Sequence, residues 1–418
     1  MASFSITPRR QLRQVLHWLA YAIGISSLSL LLLWLYAGRN PVHYLYNINL
    51  DSIAQLHVLP LTVAGTALCL DGTAPAVYVS HTGPNWIVYL GQDSLYWCLD
   101  EEDCLARSHT PQGSSKWLPD KLELHGILSN SAEVNPDFHT WSKAVIHACD
   151  GSGFLGYRAA PFHVNNQALY SRGYHVIWRV LDWLRRRYGD SMQPHESQFL
   201  FVGQGSSGIA LMLAARDIID QFPYNRVKFA VEGSVLIDKE AVLIDRLQAM
   251  ISTHHVTRNP RLKDCFEEFP EGQRQKNSWR CLLLSNLLSD RIDDEGTKEP
   301  AFFFSGSNYD RWLAINVYAV ACPLIDCRSD EESYAKYDRL RNALIDAINP
   351  IDKKSKRDSI WMCSCWSRGH LVHDQLLTRI NVEGWSLAEA LKKWYFNDQP
   401  MKLHLVDGAF PSNPTCPV

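Results

Sequence analysis

From residue 61 onward, short apolar runs alternate with longer amphipathic ones. The runs at 86–90 (WIVYL), 143–148 (KAVIHA), 199–202 (FLFV), 228–231 (KFAV), 301–304 (AFFF) and 360–363 (IWMC) are nearly continuous in apolar character. Strands buried on both faces read this way. Helical periodicity marks 167–188, which ends on Arg185, Arg186 and Arg187, cations suited to the negative end of a helix. It also marks 207–221 and 386–396. Strands alternating with helices predict an α/β fold around a mainly parallel sheet. No internal repeat and no second domain boundary is visible.

One apolar run is of another kind. Residues 15–36 contain no Lys, Arg, Asp or Glu. About 20 apolar residues, at ~1.5 Å rise each, cross the hydrocarbon core of a bilayer. The run exceeds the ~7–15 residue core of a cleavable signal. Arg9, Arg10 and Arg13 precede it and only Arg39 follows closely, which places the N-terminal tail in the cytosol. The expected organisation is a cytosolic tail at 1–13, a transmembrane signal anchor at 14–37, a stem at 38–60 and one α/β domain at 61–418. This describes a single-pass type II membrane protein of the secretory pathway, in the Golgi, the endoplasmic reticulum or at the cell surface. Cleavage near Ala37, giving a secreted protein, is the alternative.

Composition narrows the partners. A net charge of −3 over 418 residues gives no electrostatic footprint for nucleic acid. The eleven cysteines suit an oxidising compartment. Cys98 and Cys104 enclose a short acidic loop, and Cys265 and Cys281 bracket a polar segment; both pairs are disulfide candidates. The odd total leaves at least one thiol unpaired within the chain. No pair of CxxC motifs stands at zinc spacing, so no metal site is expected, and no cofactor is implied. No Asn-x-Ser/Thr sequon with x other than Pro is present to support a lumenal assignment.

The stretch 199–209, FLFVGQGSSGI, runs from a strand through a glycine-rich turn into a helix. Hydrolases place a nucleophilic serine on such a turn, and residues two before and two after its tip must be small. With Ser207 at the tip, the flanks are Gly205 and the β-branched Ile209. With Ser206 there, they are the bulky Gln204 and Gly208. With Gly205 there, they are Gly203 and Ser207, both small. Sterics therefore put Gly205 at the tip and leave Ser206 and Ser207 as candidates for helix capping.

Other segments carry a recognisable order. These are Cys69-Leu70-Asp71-Gly72-Thr73, Cys98 and Cys104, Gly126-Ile127-Leu128-Ser129-Asn130 with Asn135-Pro136, and the run 149–156 (CDGSGFLG). Ser307-Asn308-Tyr309-Asp310 and the run 385–395 (WSLAEALKKWY) complete it. Together they resemble the Notum/pectin acetylesterase family, serine carboxylesterases of the α/β-hydrolase class, across residues 69–396. The resemblance implies an α/β-hydrolase fold. The family turn, A-G-S-S-A-G-G with the second serine as nucleophile, puts that serine at Gly205 when laid on 202–208, and glycine cannot form an acyl-enzyme. The family's acid falls on Asp310. Its histidine, in C-x-x-H, falls on Arg368 when counted from Cys365; His370 lies two residues on and could still serve through a loop insertion. The family's oxyanion loop falls on 90–98, where Gly91, Ser94 and Leu95 occupy the turn and Asp93 brings a carboxylate.

Two readings follow. In the first, a membrane-anchored pseudo-esterase binds an ester-bearing glycan or a lipidated protein in the old substrate pocket. In the second, an active serine carboxylesterase uses Ser207 or Ser206 with Asp310 and His370. An interaction protein with no ligand pocket is a third.

Overall fold

The computed structural model describes residues 52–91, 97–193, 196–222, 226–288, 299–320, 322–354, 356–397 and 401–417. The expected tail and signal anchor, most of the expected stem, and Ser94 and Leu95 of the expected oxyanion loop lie outside the described residues. Among the described residues no helix is long and apolar enough to cross a membrane.

The main sheet is built from β1 (Ile53–Val58), β2 (Ala76–Ser80), β3 (Trp86–Gly91), β4 (Lys121–Glu123), β5 (Ser142–His147), β8 (Gln198–Gln204), β9 (Arg226–Glu232), β10 (Phe302–Ser307), β11 (Ser359–Cys363) and β14 (His404–Val406). Two small hairpins stand outside it, β6 (Phe162–Val164) with β7 (Gln167–Leu169) and β12 (Asn381–Val382) with β13 (Trp385–Ser386), and helix α1 (Glu101–Ser108) lies between β3 and β4 in the chain. The spatial order is β14-β11-β10-β9-β8-β3-β5-β2-β1-β4. From β14 to β5 all neighbours are parallel. The pairings of β5 with β2, β2 with β1 and β1 with β4 are antiparallel.

Alternation along β8 explains how both faces are covered. Phe199 and Phe201 point into one core, with side chains from α2 (Gly173–Tyr188), α3 (Ser206–Gln221), α4 (Ala241–His254) and α5 (Glu331–Lys354). Leu200 and Val202 point into the other, with Leu387, Ala390, Leu391, Trp394 and Tyr395 of α6 (Leu387–Phe396). Each such side chain, fully buried, contributes ~1.5–3 kcal/mol. Ser386 caps α6 through a capping box with Glu389, which fixes where that helix starts. Burial on both faces is why these strands read as continuous apolar runs.

Three expectations change. The helix expected from residue 167 begins at Gly173 instead. Residues 167–169 form β7, turned back by Asn165 and Asn166 at φ 48° and 64°, the positive values a two-residue hairpin turn needs. The domain also starts before residue 61: β1 pairs with both β2 and β4. Only Ala54 of its six residues is buried, so it carries no apolar alternation to find. Finally, β14 adds a strand after α6, three residues long and too short for a periodic signal.

Cys98–Cys104 and Cys265–Cys281 form the expected disulfides. Cys69–Cys149, Cys322–Cys327 and Cys365–Cys416 join them, and the buried Cys363 is the thiol left over. Cys365–Cys416 pins the segment after β11 to the C-terminal end of the chain. That segment carries Arg368 and His370.

Candidate active site

Strand β8 ends at Gln204, and α3 begins at Ser206. Between them Gly205 sits at φ 58°, ψ −125°, a conformation that strains any residue with a Cβ. Its N–H donates to the Glu232 carbonyl at 2.9 Å, and its own carbonyl accepts from Ile209 at 3.3 Å. Gly205 is thus the tip of a tight strand-to-helix turn. The turn is tight because small residues cross in it. A Cβ on Gly203 would lie 2.7 Å from the Gly208 Cα, and one on Gly208 would collide with Ser234.

Neither adjacent serine stands at the tip. Ser207 is buried; its Oγ accepts from the Gln204 N–H at 3.0 Å and lies 2.8 Å from the carbonyls of Leu90 and Gln204, to one of which it donates. This is a turn-stitching hydroxyl that ties α3 to β3 and β8. Ser206 is also buried, packed under Gly153 so closely that a Cβ there would collide with its Oγ. Gly91, the described residue of the expected oxyanion turn, ends β3 with space for a Cβ limited by Ile146 O and Val145 at 3.1 Å.

Asp310 follows β10 and caps the short helix Arg311–Asn316, its Oδ1 accepting from Leu313 N at 2.9 Å. Its Oδ2 lies 2.5 Å from Nη1 of Arg368; the Asp310 side chain is buried, 5% exposed, and that of Arg368 is partly buried, 10% exposed. Arg368 Nη2 also donates to the Gly233 carbonyl at 3.2 Å. Gly233 makes that approach possible: at φ 53°, a Cβ on it would stand 2.8 Å from Nη1. The residue aligned with the family histidine therefore does hold the Asp310 carboxylate, but as a guanidinium. Arginine stays protonated and cannot act as a general base.

His370 goes elsewhere. Gly369 between them is left-handed, φ 83°, so the backbone reverses and sends the two neighbours apart. His370 is fully buried, with Nδ1 2.7 Å from Glu232 Oε1 and Nε2 2.8 Å from Ser367 Oγ and 3.4 Å from Cys363 Sγ. Glu232, at the end of β9, also accepts the backbone N–H groups of His370 at 2.6 Å and Leu371 at 2.9 Å. Burial alone would lower the imidazole, but the Cys363 sulfur and the Glu232 carboxylate outweigh it and raise its pKa to about 10. Burial likewise pushes Glu232 up, and its hydrogen bonds and the imidazolium charge more than reverse this, holding it below the ordinary glutamate value. The family resemblance groups His370 with Asp310 and does not single out Glu232; in the structure His370 meets Glu232 instead.

A raised folded pKa means that the stabilisation is fully present below the unfolded value of 6.5 and is lost as pH rises through about 10. The depressed Glu232 adds a loss on the acid side, below its ordinary 4.5. Urea midpoints of the wild type are expected to fall steadily between pH 7 and 10, and those of His370→Gln to fall less. Parallel pH profiles would contradict the pairing.

Among the described residues, Cys98, Cys104 and His254 cluster as metal ligands do. The two sulfurs are bonded to each other, so they are not thiolates available for a metal.

A family model described as Pectinacetylesterase matches residues 49–417. Pectin acetylesterase 5 of Arabidopsis thaliana is 26% identical over 376 residues, covering 84% of this chain and 82% of that one. Palmitoleoyl-protein carboxylesterase NOTUM of Schmidtea mediterranea is 27% identical over 151 residues, covering 35% of this chain and 27% of that one. The crystal structure of the Wnt deacylase Notum from Drosophila superposes with a TM-score of 0.69 at 20% identity, covering 87% of this chain and 99% of that one. The α/β-hydrolase architecture, the turn after β8 and the family match over nearly the whole described domain lead to one conclusion: the chain belongs to the pectinacetylesterase family.

Proposed function

We propose that this protein is a pectinacetylesterase-family pseudo-esterase that binds its ligand without hydrolysing it. One observation carries the reading: the tip of the turn, where the family has its nucleophile, is Gly205. Without an oxygen or sulfur there, no acyl-enzyme forms at that point. The Arg368–Asp310 ion pair supports it, since a guanidinium replaces the base. By analogy with the relatives' names, the ligand is an ester-bearing glycan or a lipidated protein. Residues 14–37 anchor the chain as a type II protein of the secretory pathway in this reading.

A second reading, an esterase working from a displaced site, has one observation in its favour. Ser367, His370 and Glu232 line up at 2.8 Å and 2.7 Å, the spacing of a nucleophile, base and acid. An imidazole with its pKa at about 10 is already protonated at neutral pH, so it does not take the Ser367 proton. A fluorophosphonate probe separates the readings. No adduct is expected on the full chain at pH 7.5. An adduct on Ser206 or Ser207 would restore an active site in the turn, and one on Ser367 would establish the displaced site.

A further inference from the structure

A hollow of about 410 Å³ lies at the C-terminal end of α4 and shares no lining residue with the turn after β8. Ile251 of α4, His255 and Arg258 beyond its end, and Phe266 and Arg274 further along the chain meet there. Two devices bring them together. His255 stops α4 in the left-handed conformation, φ 52° and ψ 40°, and turns the chain back, so that Arg258 reaches the same hollow as Ile251. The Cys265–Cys281 disulfide closes the loop that carries Phe266 and Arg274, and Gln248 Nε2 ties that loop to α4 by donating to the Lys276 carbonyl at 2.8 Å. The hollow is thus formed before anything enters it, and its size is within the ~300–1,000 Å³ of ligand sites.

Its lining is divided in character. Ile251 and Phe266, 3% and 6% exposed, give an apolar floor. Arg258 and Arg274 are exposed and supply permanent cations, Arg274 braced by its Nε donating to the Phe269 carbonyl at 3.1 Å. Among the described residues no Asp or Glu lines the hollow. Burial, Arg158 and Arg258 hold the His255 imidazole below its ordinary pKa, a sign of the positive field at this wall. An inorganic anion would leave the floor uncovered, and a neutral ring would leave the guanidinium groups unmatched. An aromatic ring ending in a tetrahedral oxyanion satisfies both. A second hollow of about 440 Å³ shares Thr257 and Arg258 with the first and adds Tyr157, Pro260 and Lys263. It offers room for polypeptide on either side of such a ring.

We propose that this hollow receives a phosphorylated or sulfated tyrosine of a partner protein, with Ile251 and Phe266 under the ring and Arg258 and Arg274 on the oxyanion. This docking is separate from whatever the turn after β8 binds, and it holds whether or not that turn is catalytic.

Isothermal titration of the full chain at fixed ionic strength tests it. The probes are the N-acetyl amides of phosphotyrosine, sulfotyrosine and unmodified tyrosine, with inorganic phosphate beside them. Saturable binding of at least one ester is expected, with unmodified tyrosine and inorganic phosphate each at least about tenfold weaker. The tighter of the two esters identifies the modification. Arg258→Gln and Arg274→Gln are each expected to weaken it about tenfold, as loss of one hydrogen bond to a charged group does. Both side chains are exposed, so the variants are expected to keep the wild-type urea midpoint. Arg258→Lys keeps the charge but not the planar fork and is expected to fall between wild type and Arg258→Gln. Arg186→Gln, on α2, is expected to bind as the wild type does, which separates the hollow from general cationic attraction. The proposal is overturned if neither ester binds, or if unmodified tyrosine or inorganic phosphate binds as tightly as the better ester. Unchanged affinity in both glutamine variants at 258 and 274, or an equal loss in Arg186→Gln, overturns it as well.

Discussion

Gly205→Ser alone is expected to leave the protein without measurable esterase activity, whereas Gly205→Ser combined with Arg368→His is expected to hydrolyse short aryl esters above background. A serine at the tip needs a base within ~2.6–3.2 Å. His370 cannot supply it, because its Nδ1 is engaged by Glu232 and its Nε2 by Ser367 and Cys363. Arg368 stands on the Asp310 carboxylate but carries a permanent proton. An imidazole at position 368 can take over that carboxylate and present its other nitrogen toward the tip. General-base assistance is worth about 10²–10⁴ in rate, so the double variant should exceed the single by that order. The serine also costs ~1–3 kcal/mol of stability, since it must adopt φ 58°, ψ −125°. p-Nitrophenyl acetate turnover, with mass spectrometry of a fluorophosphonate adduct at position 205, measures the gain. A single variant as active as the double would show that the base was never missing. A silent double variant would place the remaining defect in the oxyanion loop.

The largest loss of stability is expected from Glu232→Gln. Glu232 is fully buried and holds three hydrogen bonds from the His370–Leu371 segment. Removing its charge leaves an imidazolium in the interior without its partner. Breaking a buried pair in this way costs about 3–5 kcal/mol. Urea unfolding would read the shift in midpoint, and amide exchange would show whether the segment from Ser367 to Leu371 opens first. The double variant Glu232→Gln with His370→Gln should lose less than the sum of the singles, because the second change removes the charge that the first strands. Strict additivity would mean that the two residues do not interact.

The architecture was largely legible, because a parallel sheet covered on both faces writes its strands as apolar runs. The runs at 199–202 and 301–304 became β8 and β10 for that reason. β1 and β14 were not legible: one lacks alternation and the other is three residues long. At the site, the register of the turn was readable, since Gly203 tolerates no Cβ and only one placement leaves small flanks. The partners of Asp310 and His370 were not. A single left-handed glycine, Gly369, decides which of two neighbouring side chains meets which carboxylate. Linear spacing gives no sign of that reversal. Glu232 offered one weak signal, an acid closing an otherwise apolar strand, and only tertiary structure shows what it binds.

The two margins of the sheet have a consequence for assembly. The outermost strands, β4 and β14, are each three residues long, and β4 presents Lys121 and Glu123 to solvent. A short, charged border gives an approaching chain too few backbone groups to zip onto. Ten strands side by side would otherwise invite edge-to-edge polymerisation. This protein can be concentrated or tethered at high density with little risk that its sheets fuse into a continuous ribbon.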